Sequence, residues 1–188
     1  STGALAHADF REGLRMSAGK GFDAIELSAL RAPEAGPLVE AIPELDLSEY
    51  AYVSFHAPSN FEGFDEAAIA GLLLERLPEA WPVVLHPDAS RDLQIWAPFG
   101  ERLLVENMDK RKPGARFVEE LDEVFAQLPD ASFCFDIGHA RQIDPTMLEA
   151  IRILRRFGDR LRQIHSSAVN TASRHERNSI VAVTAFQE

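Results

Sequence analysis

Alternating short apolar runs and amphipathic stretches predict an α/β fold with a parallel sheet. Six runs of strand length begin near residues 24, 52, 83, 103, 132 and 161, and most are rich in β-branched or aromatic residues. Their spacing of 20 to 30 residues is that of a strand followed by a helix. Strands that alternate with helices in this way are typical of parallel pairing.

Amphipathic patterns predict helices between these strands, over residues 10–19, 65–77, 115–128 and 145–157. Asp9 is placed as the N-cap of the first of them, and Gly19 or Gly21 is placed to end it. Pro145 stands where a proline commonly opens a helix. The last apolar stretch of the chain is also typical of a helix.

The positions of the polar residues favour a closed (β/α)8 TIM barrel over a doubly wound open sheet. A histidine or an acidic residue follows almost every predicted strand, as the carboxyl-terminal face of a barrel requires. An open sheet concentrates its site at one switch point instead. Six strands are two short of a barrel, so we expect residues 1–188 to be a single barrel domain that lacks the first and eighth strands. Six strands alone would expose two long edges, so we expect a partial chain or ends supplied in another way.

Composition narrows the classes of partner. The formal net charge of −11 disfavours nucleic acid and would favour divalent cations near a carboxylate site. No apolar run approaches the ~18 residues that cross a bilayer, so no membrane partner is expected. The single cysteine, Cys134, cannot form an internal disulfide, which favours the cytoplasm. A homo-oligomer is left open.

Histidines and carboxylates at the predicted strand ends are the candidate metal ligands. Barrel geometry brings strand ends to one face, so these side chains are expected to converge. Imidazole and carboxylate ligands suit zinc, manganese, cobalt or iron. The candidate ligands are Glu106, Asp136, His165, His56, His86 and His175. The Glu106 carboxylate follows three apolar residues, and a metal ion would remove the cost of burying its charge.

The other candidates are one catalytic histidine and a set of substrate-binding residues. His139 follows Asp136 at an Asp-x-x-His spacing, across a turn that Gly138 lets bend tightly. Both side chains could then reach one ion or two adjacent ions, although an Asp that caps the turn is the plainer alternative. The candidates for substrate binding are Glu26, Asn107, Lys110 and Arg111. Lys110 and Arg111 belong to the one dense basic cluster, which suits a phosphate or carboxylate as well as it suits a solvated loop.

Taken together, several short motifs resemble the xylose-isomerase-like superfamily. The motifs are Phe22-Asp23-Ala24-Ile25-Glu26-Leu27, Val105-Glu106-Asn107, Phe135-Asp136-Ile137-Gly138-His139 and Ile164-His165, with His56 and His86 at two further strand ends. The resemblance covers nearly the whole chain and implies a TIM barrel with metal bound by Glu106, Asp136 and His165. It also implies a further metal carboxylate on the eighth strand, which these residues do not reach.

The resemblance implies an enzyme of sugar metabolism, an isomerase or epimerase acting on a sugar or polyol. A metal would polarise a carbonyl there, with Glu106 as ligand and acid/base group. The alternative is a phosphodiesterase resembling endonuclease IV, whose extra histidines bind three zinc ions. His56, His86, His139 and His175 match that arrangement in order, but Ser173 stands where that family has Asp. A non-catalytic metal-binding barrel is the third reading.

Overall fold

A computed structural model describes residues 1–187 and contains a six-stranded, all-parallel sheet. Strands lie at the six predicted places, and they follow one another in the sheet in chain order. They are β1 (Ala24–Ser28), β2 (Tyr52–His56), β3 (Val83–Leu85), β4 (Leu103–Glu106), β5 (Ser132–Asp136) and β6 (Leu161–His165). A separate antiparallel hairpin follows, formed by β7 (Ala168–Val169) and β8 (His175–Glu176).

Helices connect the strands and cover one face of the sheet. They are α1 (Thr2–Ala6), α2 (Phe10–Ser17), α3 (Ala32–Ala41), α4 (Glu66–Arg76), α5 (Val118–Gln127), α6 (Ile137–Ile143), α7 (Leu148–Phe157) and α8 (Ile180–Ala185). A 3-10 segment, Leu93–Arg102, precedes β4. Short 3-10 turns follow α3, β3 and α7. Within the described residues the longest helix, α4, has 11 residues, and none is long and apolar enough to cross a membrane.

The four predicted helices are confirmed as α2, α4, α5 and α7, each slightly shorter than its pattern. Asp9 caps α2 as expected, since its Oδ1 accepts the backbone N–H of Glu12 at 3.0 Å. Gly19 and Gly21 follow that helix in the left-handed region, at φ 66° and 76°. Helix α3 was not predicted from the sequence, because it contains Gly36 and Pro37, which ordinarily break a helix.

Side chains of the six strands alternate between a convex face covered by helices and a concave face. The convex face holds the main hydrophobic core. Its strand residues are Ile25, Leu27, Val53, Phe55, Val83, Leu85, Leu103, Val105, Phe133 and Phe135. The concave face is mostly polar and carries only a small apolar cluster of Val84, Leu104 and Cys134. Polar side chains at every second position therefore share one face of the sheet.

The sheet is curled so strongly that side chains of β6 reach those of β1 and β2 across the concave face. Tyr52 Oη donates to Gln163 Oε1 at 2.8 Å. The Gln163 amide in turn donates to Glu26 Oε2 at 2.7 Å. These two bonds join strands that are not neighbours in the sheet. The architecture is a half-barrel whose interior is spanned by side chains.

The predicted (β/α)8 TIM barrel is wrong. In the described part of the chain the parallel sheet has six strands, with β1 paired only to β2 and β6 only to β5. The prediction rested on polar residues at successive strand ends, and curvature of an open sheet brings those ends together without closure. Part of the β1 edge is covered, because Thr2 Oγ1 accepts the backbone N–H of Ser28 at 2.9 Å.

Truncating Phe133 tests the assignment of the convex face. Phe133 is fully buried, and its ring centroid lies 6.0 Å from that of Phe125 and 6.1 Å from that of Phe157. Phe133→Ala is expected to lower the free energy of unfolding by about 3–5 kcal/mol, because it leaves a cavity. Ile164 lies on the outer side of β6 and is 57% exposed. Ile164→Ala should therefore lower the free energy of unfolding by less than about 0.5 kcal/mol. Urea denaturation of both variants makes the comparison, and equal losses would contradict the assignment.

Candidate metal centre

Five of the candidate ligands lie at the carboxyl ends of neighbouring strands. His56, Glu106, Asp136 and His165 are the last residues of β2, β4, β5 and β6, and His86 directly follows β3. Asp136 pairs with His165 across β5 and β6, whereas His56 pairs with Val84 and Glu106 with Cys134, so the parallel register is staggered by two residues at those two steps. The convergence predicted from the sequence is therefore present in the curled sheet.

The Glu106 carboxylate lies at the centre of this group and is 1% exposed. Its Oε2 lies 3.3 Å from His56 Nε2 and 3.2 Å from His86 Nε2. Its Oε1 lies 3.2 Å from His165 Nδ1 and 3.6 Å from His139 Nδ1. Burial opposes ionisation of Glu106, but the charges of His165 and His86 and hydrogen bonds from His165 and His56 hold its pKa well below the ordinary value. The carboxylate is thus ionised and faces histidines on both oxygens.

His165 is held between two carboxylates. Its Nε2 lies 2.9 Å from Glu26 Oε2, while its Nδ1 faces Glu106. Burial opposes a charge on the imidazole, but Glu26 and Glu106 raise the pKa of His165 well above its ordinary value. Burial likewise opposes a charge on Glu26, yet the charge of His165 and its hydrogen bond lower the pKa of Glu26 to about 2. Glu26, predicted to bind substrate, thus contacts a predicted metal ligand.

Two residues on the concave face, Tyr52 and Gln163, orient the pair of Glu26 and His165. Neither was among the site residues predicted from the sequence. Burial raises the pKa of Tyr52 to about 12, so its hydroxyl keeps its proton and donates to Gln163 Oε1. That bond turns the amide nitrogen of Gln163 toward Glu26. The clue was the period of two along each strand, which puts Tyr52 on the face of His56 and Gln163 on the face of His165.

A second cluster lies beside the first and contains Asp136, His139 and His175. His139 Nε2 is 3.3 Å from His175 Nε2, and Ser167 Oγ lies 2.6 Å from His175 Nδ1. Burial raises the pKa of Asp136, and the negative charge of Glu106 adds to that effect while His139 opposes it. Burial lowers the pKa of His175. His175 is exposed on the hairpin, whereas Asp136 and His139 are buried.

Asn107 joins β4 and β5, the two strands that carry the acidic candidate ligands Glu106 and Asp136. Its Nδ2 donates to Asp136 O at 2.9 Å, and its Oδ1 accepts the backbone N–H of Asp136 at 2.8 Å. Its own carbonyl lies 2.8 Å from His139 Nδ1. The residue is fully buried. These contacts make Asn107, which was predicted to bind substrate, a positioning residue for Asp136 and His139.

Backbone carbonyls determine which ring nitrogen of His56 and of His139 is free to bind a metal ion. Nδ1 of His56 lies 2.8 Å from Ala57 O, and Nδ1 of His139 lies 2.8 Å from Asn107 O. A proton on Nδ1 that is donated to a carbonyl leaves Nε2 free to bind a metal ion. Within residues 1–187, Nδ1 of His86 is buried without a hydrogen-bond partner.

Three sets of donor atoms fit a divalent metal, with the atoms of each set within 4.8 Å of one another. They are His56 with His86 and Glu106, then Glu106 with Cys134 and His165, and finally Asp136 with His139 and His175. Nitrogen, oxygen and sulfur donors of these kinds suit zinc and other first-row ions. Cys134 is not among the ligands predicted from the sequence, although it alternates with Phe133 and Phe135 and so lies on the concave face. Burial raises the pKa of its thiol to about 12, so ligation would require loss of a tightly held proton.

The segment after β5 differs from the predicted turn. Asp136 is the N-cap of α6, and its Oδ1 accepts the backbone N–H of His139 at 2.7 Å. Gly138 lies inside this helix and not at a tight bend. A Cβ at Gly138 would lie 2.3 Å from Ser167 O and 2.8 Å from Val169 Cγ2. Glycine is therefore required by the close approach of α6 to the chain that leads into the hairpin.

The basic cluster does not converge on the ligands. Lys112 Nζ pairs with Asp88 Oδ2 at 2.8 Å, beside His86. Arg111, predicted to bind substrate, bonds Asp109 Oδ1 through Nε at 3.2 Å and Ser173 O at 3.0 Å. Lys110 is among the residues that line a separate cavity, and its backbone N–H donates to Gln142 Oε1 at 3.1 Å.

Comparison with known proteins adds no family. No protein-family model matches the chain, and no curated protein matches it either. The similarity to the xylose-isomerase-like superfamily therefore stays a prediction, and the function proposed below is inferred from the geometry of the site.

Acid titration tests the Asp109–Arg111 contact. Burial opposes ionisation of Asp109, but hydrogen bonds from Arg111 and Ser173 lower its pKa to about 2. A lowered carboxyl pKa stabilises the fold above the ordinary pKa, and that stability is lost as the pH falls toward 2. Asp109→Asn should therefore cost roughly 2 kcal/mol near pH 6 and progressively less below pH ~4.

Urea unfolding across this pH range measures the loss. Asp130→Asn, in the exposed loop before β5, is the control and should change stability by less than about 0.5 kcal/mol. A pH-independent loss in Asp109→Asn would show that the carboxylate charge is not what holds the loop.

Proposed function

We propose that this chain is a divalent-metal-dependent enzyme with more than one metal ion, acting as a hydrolase of phosphoesters. The observation that carries the proposal is the position of Glu106, whose two carboxylate oxygens face different sets of histidines. Glu106 belongs to two of the three donor sets. A carboxylate shared in this way is typical of adjacent metal ions, and paired ions suit phosphoryl displacement.

Each part of the site has a role in this proposal. When bound, the metal ions would supply charge that stabilises both the attacking and the leaving oxygen of the ester. Glu106 would hold adjacent ions in register, and Asn107 would keep Asp136 and His139 aligned. Tyr52 and Gln163 would keep Glu26 directed at His165. Ser167 would orient His175 through its Nδ1.

The third donor set answers one objection to a multinuclear centre. The sequence has Ser173 where relatives resembling endonuclease IV have an aspartate. Asp136 completes the set with His139 and His175 without any ligand from position 173. Ser173 is buried, and its hydroxyl donates to Gln142 Oε1 at 3.0 Å.

Charge and thiol chemistry bound the substrate and the compartment. The net charge of −11 opposes a polynucleotide, so we propose a small phosphoester as substrate. The one cysteine is free and buried, which supports a reducing cytoplasm.

An isomerase or epimerase acting on a sugar or polyol is the second candidate, and Asp136 favours it. A buried carboxyl with a raised pKa beside metal-ligating residues suits proton transfer next to a polarised carbonyl. Glu26 is less suited to accept a proton near neutral pH, because its pKa is lowered to about 2.

Metal content is the first test. We expect more than one zinc, manganese, cobalt or iron ion per chain in protein purified without chelator, measured by elemental analysis. Glu106→Gln should lose most of this metal, because it removes a negative donor from two sets. Glu66→Gln is the matched control, since Glu66 is also buried but bonds Trp96 Nε1 and lies outside the donor sets. Equal metal content in the two variants would sink the proposal.

Activity separates the two chemistries. We expect metal-loaded protein to hydrolyse an activated phosphodiester such as bis(p-nitrophenyl) phosphate, and Glu106→Gln to fall to the rate of metal-free protein. A single bound ion with turnover of a ketose or polyol, and no phosphodiester cleavage, would establish the second candidate instead. Metal binding without turnover of either substrate class would favour a binding protein.

A further inference from the structure

A cavity of about 220 Å³ lies outside the donor sets, between α6 and the β7–β8 hairpin. Gly138, Arg141 and Gln142 share one side of α6 and form one wall, because residues three and four apart are neighbours on a helix. The hairpin and the segment before it form the opposite wall. Lys110, from the loop after β4, also lines the cavity, as do Pro145 and Phe186.

Arg141 carries an unsatisfied donor at this cavity. Its Nε is buried and has no hydrogen-bond partner within residues 1–187. A buried donor without an acceptor ordinarily destabilises the folded protein. Several other arginines are paired with carboxylates, as Arg116 is with Glu120 and Arg156 with Asp122, and Arg160 donates to the backbone carbonyls of Pro129 and Ala131. Arg141 therefore lacks an acceptor that the chain provides elsewhere.

The cavity is locally cationic on an acidic protein. Arg141 and Lys110 line it, and no carboxylate is among the lining residues that the structure describes. The nearby acid Glu176 accepts a hydrogen bond from Asn170 Nδ2. Gln142 Nε2 is also committed, to Asn170 O at 2.6 Å and Ser173 Oγ at 2.9 Å. The Arg141 guanidinium and the Lys110 ammonium are thus the charged groups of the cavity lining.

We propose that this cavity binds a phosphate group, with Arg141 and Lys110 as its ligands. A guanidinium offers a planar fork to two oxygens of an anion, and an ammonium adds a second positive charge. A phosphate monoester carries about −1.5 to −2 charges near neutral pH, which matches two cations better than a carboxylate does. The cavity is smaller than the ~300–1,000 Å³ of typical ligand sites, so it suits one group of a ligand and not a whole cofactor.

The cavity adjoins the proposed metal centre through Ser167. Ser167 lines the cavity, and its hydroxyl lies 2.6 Å from Nδ1 of His175. A phosphate held by Arg141 would direct the remainder of a small molecule toward the second cluster. That orientation rests on the proposed function, whereas phosphate binding itself does not.

The test is a calorimetric titration of inorganic phosphate at constant ionic strength, first into chelator-treated protein and then into metal-loaded protein. We expect wild-type protein to bind phosphate without metal. Arg141→Gln and Lys110→Gln should each weaken binding by roughly tenfold or more, as expected when a charge-assisted hydrogen bond is lost. Arg177→Gln, on the exposed segment after β8, is the matched control and should bind like wild type. Thermal melts verify that each variant is folded.

The outcomes are distinct. Phosphate binding that depends on Arg141 and Lys110 but not on Arg177 supports the site, even if the chain binds no metal and the proposed function fails. Acetate that binds as tightly as phosphate would overturn the assignment of the ligand. Absence of phosphate binding to the metal-free protein, or equal affinity in all variants, would overturn the site.

Discussion

The buried carboxylate of Glu106 is the constraint on which the rest of the site depends. A charge placed at the end of an apolar strand and 1% exposed is costly unless opposite charge surrounds it. Histidines at the ends of β2 and β6, just after β3 and in α6 face its two oxygens, and the charge of His165, whose pKa is raised, offsets that cost most directly. These side chains converge on Glu106 because the strands are parallel and the sheet is curled. The curled parallel sheet therefore determines both the shape of the site and the electrostatic surroundings of Glu106.

Curvature also explains how an open sheet holds a polar interior. Tyr52, Gln163 and Glu26 form a chain of hydrogen bonds across the concave face. Each bond joins β6 to a strand, β2 or β1, with which β6 shares no backbone ladder. Such a chain satisfies polar groups that would otherwise lie buried and unpaired. It also limits how far β6 could open away from β1. The apolar core lies on the other face, so changes in the site and changes in the core are largely separable.

Local chemistry made much of this structure predictable. Strand positions followed from β-branched and aromatic runs, and helix α2 from its Asp9 cap. Ligand convergence followed from polar residues at strand ends. Closure of the sheet did not follow, because the same residue pattern fits a curled open sheet and a barrel. Helix α3 was not predicted because it contains Gly36 and Pro37. The role of Gln163 depends on contacts with residues more than a hundred positions away in the sequence.

The candidate donor residues differ in exposure, so the site has one side that faces solvent and one that is buried. Glu106, Asp136 and His139 are enclosed by the sheet and by α6, whereas His175 stands on a short two-stranded hairpin at the surface. An ion entering the site would meet the hairpin side first, and its last water molecules would be shed toward the sheet. Exchange of a bound ion with solvent would follow the same route in reverse. In the proposed metal centre, the hairpin would therefore control how fast an ion binds and leaves, and the buried donors of the sheet would control how tightly it is held.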